Sequence, residues 1–189
     1  TVLSTDDDEI ASVGHEYDGV EVPFMRPDEL AQDDSPTIPV IQHAVRYLRD
    51  EEEYDPDIVL ILQPTSPLRR ATDIDEAVET LREHDADSVV SVMEVPHEYN
   101  PYSVMEVEDG ELVHFCEEGG QYNRRQDKPT FYARNGAAVY AITTRTLMDE
   151  SSLYGDHCRP YLMERRRSVD IDDHFDLEIA EMVLQDDPP

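Results

Sequence analysis

The run Ile58-Val59-Leu60-Ile61-Leu62 constrains this chain more than any other segment, because five consecutive apolar residues, three of them β-branched, offer water no polar side. Alternating residues would mark a half-solvated strand, whereas an unbroken run of this length is expected of a strand buried on both faces in a parallel sheet. Helical patterns flank it. Pro36 suits the first turn of a helix whose apolar face is Ile38, Ile41, Val45 and Leu48, ending at Asp50-Glu51-Glu52-Glu53. Thr72, with Asp75 three residues on, predicts the start of another helix, with Ile74, Ala77, Val78 and Leu81 facing inward. Ser88-Val89-Val90-Ser91-Val92 then reads as the next strand. This rhythm predicts an α/β fold of βαβ units, in three layers around a mainly parallel sheet.

The remaining segments fit the same scheme. Thr1-Val2-Leu3-Ser4 reads as the end of a strand, and Thr5-Asp6-Asp7-Asp8 has the capping pattern that starts a helix, so the chain is expected to begin mid-fold. Val20 to Phe24 is a second short extended piece. From about 96 to 132 the pattern breaks into short extended stretches with Asp109-Gly110 at a hairpin turn, an excursion from the main sheet. The sheet resumes at Ala137 to Ile142, Arg167 to Ile171 is expected to end a further strand, and Phe175 to Leu184 forms the last helix. Asp186-Asp187-Pro188-Pro189 reads as a frayed tail. A length of 189 residues suits a single domain over 1–189.

Charge narrows the setting. Asp and Glu number 45 against 15 Lys and Arg, a formal net charge of −30, and Lys128 is the only lysine. No nucleic-acid partner is expected on this balance. Self-repulsion of such a surface is relieved by salt, where the Debye length falls to about 3 Å at 1 M, so a salt-loving source is the sharper reading and an ordinary acidic protein the plainer one. Cys116 and Cys158 have no spacing for a disulfide framework or a metal site, which fits a reducing cytoplasm. The longest apolar run, Ala137 to Ile142, is six residues, so no membrane span is expected.

Three groups of residues could carry chemistry. On a strand, Asp170 and Asp172 would point to one face, a geometry suited to Mg²⁺, which one or two carboxylates hold together with substrate phosphates. In so acidic a chain two nearby aspartates also arise by chance, and Asp173 suits a helix cap. Gln63, Thr65, Ser66 and Arg69 follow the apolar strand, where ligands bind in open α/β sheets, although the same residues could form a rigid connection only. Arg124, Arg125 and Arg134, beside Asn135-Gly136, could meet an anion such as a sugar carboxylate, or simply pair with surplus surface acids.

Taken together, Val2-Leu3-Ser4-Thr5-Asp6, Arg26-Pro27, Glu29-Leu30-Ala31, Leu62-Gln63-Pro64-Thr65-Ser66-Pro67-Leu68-Arg69, Ser88-Val89-Val90-Ser91, Asn135-Gly136-Ala137 and Asp170-Ile171-Asp172 resemble the acylneuraminate cytidylyltransferases over nearly the whole chain. The resemblance implies a Rossmann-like nucleotidyltransferase fold with a small dimerisation excursion, and a cytoplasmic homodimer. It implies transfer of CMP from CTP to a nonulosonic acid, N-acetylneuraminate or a related sugar, with release of pyrophosphate. Asp170 and Asp172 would be the catalytic pair and hold Mg²⁺. Arg26 and Thr37 match nucleotide-binding positions, Gln63 a sugar-binding one, and Arg125 or Arg124 would meet the sugar carboxylate or phosphate. Asn135, Arg134 and Tyr140 fall at further sugar-side positions. The sequence departs from the family in three places. The first strand and triphosphate-binding loop are missing, so the chain reads as N-terminally truncated. The stretch Asn135 to Tyr140 is one residue longer than the common pattern. Tyr102 and Ser103 stand near where some relatives place a sugar-contacting lysine. Two other readings stay open, a nucleotidyltransferase for a different sugar and a non-catalytic nucleotide- or sugar-binding member.

The charge yields a direct prediction. The melting temperature rises markedly between low salt and molar KCl, followed by circular dichroism, whereas a melt indifferent to salt removes the salt-loving reading.

Overall fold

The computed structural model describes residues 1–122 and 124–186, so most of the expected frayed tail, 187–189, lies outside the described residues. Its regular elements are, in chain order, α1 (Asp8–Gly14), α2 (Thr37–Glu51), β1 (Ile58–Ile61), α3 (Ala71–Glu83), β2 (Ser88–Glu94), β3 (Met105–Glu108), β4 (Glu111–His114), β5 (Tyr132–Arg134), β6 (Tyr140–Thr143), α4 (Thr144–Met148), β7 (Cys158–Leu162) and α5 (His174–Asp186). Two compact units contain them, one formed by residues 1–59 and 143–155, the other by 60–142 and 156–189.

In the first unit, Asp7 rather than Thr5 caps α1, its Oδ1 accepting the Glu9 and Ile10 amides at 2.8 and 2.9 Å. Thr5 is buried and joins Met25 in a parallel bridge, as Val2 joins Glu21, so the first residues are extended as expected. The helix α2 takes the predicted amphipathic form, with Val45 buried on its inner face. Gln42, also buried, donates from Nε2 to the Leu147 carbonyl at 2.7 Å and so fastens α2 to α4.

The second unit is organised around β2, whose Val89 and Val90 are buried. On one edge it pairs in parallel with β7, from Ser88 against Cys158 to Val92 against Leu162. On the other it pairs antiparallel with two successive segments, β6 at Ser88–Val90 and β5 at Val92–Glu94. The strand order is β1-β6-β2-β5, with β7 beside β2. The helix α3 buries Ala77 and Leu81, and α5 buries Ala180 and Val183. The hairpin β3–β4 turns at Asp109 and Gly110, both with positive φ, as the Asp-Gly pair predicts. No helix among the described residues is long and apolar enough to cross a membrane.

The expected mainly parallel sheet is therefore wrong, because the sheet is mixed and its pairing mostly antiparallel. Unbroken apolarity reports burial but not the direction of the neighbouring strand. The excursion after β2 returns the chain in the opposite sense as β5 and β6, with no helical crossover. Even the burial is partial, since Leu60 is 36% exposed. The expected strand at Arg167 to Ile171 is also absent: Arg165–Arg167 form a 3₁₀ turn, and Ser168–Ile171 have no regular structure. The parallel partner of β2 is instead Cys158–Leu162, an exposed edge strand whose Arg159 and Pro160 break any apolar pattern. Two further boundaries move. The α3 helix starts at Ala71, where Asp73 and not Thr72 supplies the capping contact. The strand expected from Ala137 starts only at Tyr140, after Gly136 (φ 68°) and Ala137 (φ 53°) take left-handed backbone and divide β5 from β6.

Candidate active site

All of the next contacts lie within the second unit. The segment that follows β1 is closed by the main chain: the Ser66 amide donates to the Gln63 carbonyl at 3.2 Å, and the Gln63 amide to the Ala137 carbonyl at 3.3 Å. The Ser66 hydroxyl is buried and donates to the Gly136 carbonyl at 3.1 Å. Arg69 binds the Ala138 carbonyl at 3.1 Å and the Gln63 carbonyl as well, and burial pulls its pKa down. Arg69 thus braces the loop against the Gly136 turn instead of presenting a cation to a ligand. Gln63 and Thr65 remain partly exposed at the loop.

The third wall comes from the Asp170 segment. The Ile171 amide donates to the Thr65 carbonyl at 2.8 Å, which draws Asp170 against Gly136. A Cβ at Gly136 would fall 2.1 Å from the Asp170 Cγ, so the carboxyl group occupies the space a side chain would need. Asp170 Oδ1 is buried and has no hydrogen-bond partner among the described residues. A buried carboxylate oxygen without a donor is costly, and a hard cation satisfies it. No cluster of three or more His, Cys, Asp or Glu ligands exists among the described residues, so an ion at Asp170 would need substrate oxygens and water for the rest of its shell, as Mg²⁺ commonly does.

The shared strand face expected for Asp170 and Asp172 does not form. Asp172 is exposed in a bend, its amide donating to Asp176 Oδ2 at 3.1 Å. Asp173 caps α5, accepting the Phe175 and Asp176 amides at 2.8 and 3.1 Å, while Asp176 reaches back to the Asp173 amide at 3.2 Å. This is the reciprocal capping box.

The other residues singled out by sequence fall in several settings. Asn135 is buried and its amide is engaged throughout: Oδ1 accepts from Ser91 Oγ at 2.6 Å, and Nδ2 donates to Ser168 Oγ at 3.0 Å and to Met163 Sδ at 3.2 Å. It supports the site from behind. Tyr140 is buried opposite Val90, and Arg134 is exposed opposite Val92. Arg124 pairs with Asp127 at 2.8 Å on an exposed surface. Arg125 lines a cavity of about 730 Å³, together with His97, Asn100, Lys128, Glu164 and Arg165. In the first unit, half-buried Arg26 donates to the Ser4 hydroxyl at 3.2 Å and to the Ser4 carbonyl. Thr37 opens α2, whose first turn has no side-chain cap and so leaves amides free for an anion.

With this geometry in view, comparison with known proteins is decisive at the level of family. A cytidylyltransferase family model matches residues 1–186. The chain belongs to the cytidylyltransferase family. It is 33% identical over 188 residues to the post-translational flagellin modification protein B of Campylobacter coli, covering 98% of this chain and 77% of that one. It is also 33% identical over 186 residues to a CMP-N,N'-diacetyllegionaminic acid synthase of Campylobacter jejuni, covering 97% and 76%. Among solved structures, a CMP:2-keto-3-deoxy-manno-octonic acid synthetase complexed with CTP shares the fold, with a TM-score of 0.62 at 16% identity over 97% of this chain and 80% of that one. This cytidylyltransferase is a nucleotidyltransferase, as the sequence resemblance implied.

Sequence reasoning missed a buried ionic cluster in the second unit of this cytidylyltransferase. Asp73, 1% exposed, accepts hydrogen bonds from Arg167 Nη1 at 2.6 Å, the Tyr161 hydroxyl at 2.9 Å and the Arg70 amide at 2.7 Å. Burial pushes the Asp73 pKa upward, but the Arg167, Arg70 and Tyr161 donors outweigh it and hold the carboxyl below its ordinary range. The resulting stabilisation is present above the ordinary carboxylate value of 3.8 and is lost as the pH falls below it through the folded value. Burial and the bonds to Glu76 and Asp73 push Tyr161 upward. One acid among 45, and one arginine of a triple run, carried no signal that they would meet.

The Gly136 contact can be tested by Gly136→Ala. The left-handed backbone costs an alanine about 1–2 kcal/mol, and the methyl, 2.1 Å from the Asp170 Cγ, adds to that by forcing the carboxyl out of its place. Turnover is expected to fall far more than the melting temperature, measured by pyrophosphate release and thermal denaturation, and an alanine variant of normal activity would show that the contact is incidental.

Proposed function

We propose that this cytidylyltransferase transfers CMP from CTP to the anomeric hydroxyl of a nonulosonic acid, an acidic sugar of the kind named in its legionaminic relative. The observation that carries the reading is the buried, undonated Asp170 Oδ1 wedged against Gly136 at the end of the Gln63–Arg69 loop. In the reaction the sugar oxygen bonds to the α-phosphorus, the bond from that phosphorus to the bridging oxygen breaks, and pyrophosphate leaves. When bound, Mg²⁺ supplies positive charge to the phosphate oxygens, the main requirement of phosphoryl-type transfer. Asp170 would hold the ion, and Asp172, exposed two residues on, would take the hydroxyl proton. Gln63 contacts the sugar. Arg125 meets the sugar carboxylate from a cavity whose volume of about 730 Å³ is of the size that small-molecule ligands fill. Arg26 and Thr37 contact the cytidine, and Asn135 positions Ser168 and Met163 from the core.

The proposal includes a homodimer in a salt-rich cytoplasm. On the β3–β4 hairpin Val107 and Leu112 stand directly opposite each other, 71% and 69% exposed, and Phe115 just beyond β4 is 57% exposed. A second copy of the excursion is the natural cover for that apolar face. Replacing Val107 and Leu112 together by Asp converts the dimer to monomer in light scattering coupled to size exclusion. A wild-type protein that is monomeric at high salt and micromolar concentration would sink this part of the proposal.

The chemistry is tested by pyrophosphate release with each of the four nucleotides and a nonulosonic acid. CTP with Mg²⁺ is the expected preference, and equal or better use of UTP or TTP would overturn it. Asp170→Asn lowers turnover by about 10² to 10³, equivalent to about 3–4 kcal/mol of lost transition-state stabilisation. Asp173→Asn is the control, since asparagine caps a helix about as well as aspartate.

A further inference from the structure

The residues that carry Asp170 have no helix or strand to hold them. Between the 3₁₀ turn at Arg165–Arg167 and the start of α5 the chain is irregular, yet Asp170 must be placed closely enough to fill the space beside Gly136. Side-chain and main-chain anchors define its course at three points. The Ile171 amide is held by the Thr65 carbonyl at 2.8 Å. The Ser168 hydroxyl is held between Asn135 Nδ2 at 3.0 Å and the Glu164 carbonyl at 2.9 Å. Arg167 is held by Asp73, with Nη1 2.6 Å from Oδ1 and also in contact with Oδ2.

The third anchor is unlike the other two, because it is ionic and buried. The Asp73 residue is 1% exposed and the Arg167 side chain 16%. Replacing a buried ion pair by apolar residues is often neutral or favourable to stability, so stability alone gives no reason for this one. Its placement does. Asp73 lies in the first turn of α3, immediately after the Gln63–Arg69 loop, and also accepts from Tyr161 on β7. One carboxylate therefore joins the helix that follows the loop, the strand that precedes the Asp170 segment, and the segment itself.

We propose that the Asp73–Arg167 pair is a positioning device that sets the course of Ser168–Ile171 and thereby seats the Asp170 carboxylate against Gly136. Asp73 and Arg167 touch no substrate in this scheme and act through Asp170. Their effect on metal binding rests on the proposed function, whereas their effect on the segment's course does not.

Amide hydrogen exchange at Ile171, read by NMR, reports the course directly, since that amide is held only while the segment lies against Thr65. Asp73→Asn and Arg167→Gln each leave a buried charge without its partner and lower the melting temperature. The double variant, with two neutral amides, recovers most of that loss. In it the protection of Ile171 is expected to fall at least about tenfold relative to Val89 and Val90 on β2. Binding of free Mn²⁺, followed by its electron spin resonance signal, weakens roughly 10–100-fold, as for other residues that orient a metal ligand. A double variant with recovered melting temperature and unchanged Ile171 protection overturns the proposal. If the double variant does not fold, Arg167→Lys decides, because it keeps the charge but loses the planar fork: reduced Ile171 protection supports positioning, and unchanged protection overturns it. Failure of the metal reading looks different, as equal Mn²⁺ affinity for the wild type and Asp170→Asn, and leaves the exchange result to decide the positioning role.

Discussion

Gly136 and Asp170 cannot both have side chains of ordinary size in the space they share, and much of the second unit follows from that exclusion. The carboxyl group fits because position 136 offers only hydrogen, and position 136 takes left-handed backbone, which glycine adopts without penalty. The same backbone excursion separates β5 from β6, so the turn that admits the carboxylate also interrupts the antiparallel pairing along β2. Its carbonyls are then available to Ser66 and Arg69, which fix the Gln63 loop on the other side. Loop, turn and acidic segment form one hydrogen-bonded body in which no member has a repetitive secondary structure of its own.

Such a body is costly to build from polar groups unless nearly all of them are paired. Ser91, Asn135 and Ser168 are buried and bonded in sequence, and Asp73 has donors for both its oxygens. Against that background the undonated Asp170 Oδ1 is conspicuous. A carboxylate left this way in an otherwise satisfied network has unused capacity for a positive charge. Arg69 stands in the opposite position. Its guanidinium is spent on carbonyls of the loop and turn, so a residue that sequence alone could assign to a phosphate is structural.

How much of this could be read from the sequence depended on whether the signal was local. The amphipathic face of α2, the Asp-Gly hairpin and the cap at Asp173 are encoded within a few residues, and each formed as expected. Family membership was legible from motif order, which survives errors in the fold. Strand direction was not legible, because Ile58 to Leu62 would look the same beside a parallel or an antiparallel neighbour. The edge strand at Cys158–Leu162 escaped because Pro160 and Arg159 erase alternation where one side faces solvent. Asp170 and Asp172 were linked by a period-two argument that holds only for strands, and the segment is irregular; what sets Asp170 apart is its contact with Gly136, 34 residues away in sequence, which leaves no local signal.

The scarcity of cations sharpens the division between surface and site. With 15 basic residues against 45 acidic ones, an arginine placed inside the protein is one withdrawn from a surface that needs it. Yet Arg69 and Arg167 are both largely enclosed, Arg26 is bound to Ser4, and Arg125, Lys128 and Arg165 gather at one cavity. Exposed pairs are present as well, Arg49 with Asp55, Arg124 with Asp127, Arg145 with Glu150 and Arg166 with Asp186, each worth at most about 1 kcal/mol and weaker still in salt. Salt screens the exposed carboxylates of each unit from one another but reaches a buried pair far less, so the effect of the enclosed arginines depends less on ionic strength. The division therefore runs within the arginines: Arg49, Arg124, Arg145 and Arg166 pair with acids at the surface, whereas Arg69 and Arg167 fix a loop and a segment whose course bulk ions cannot fix.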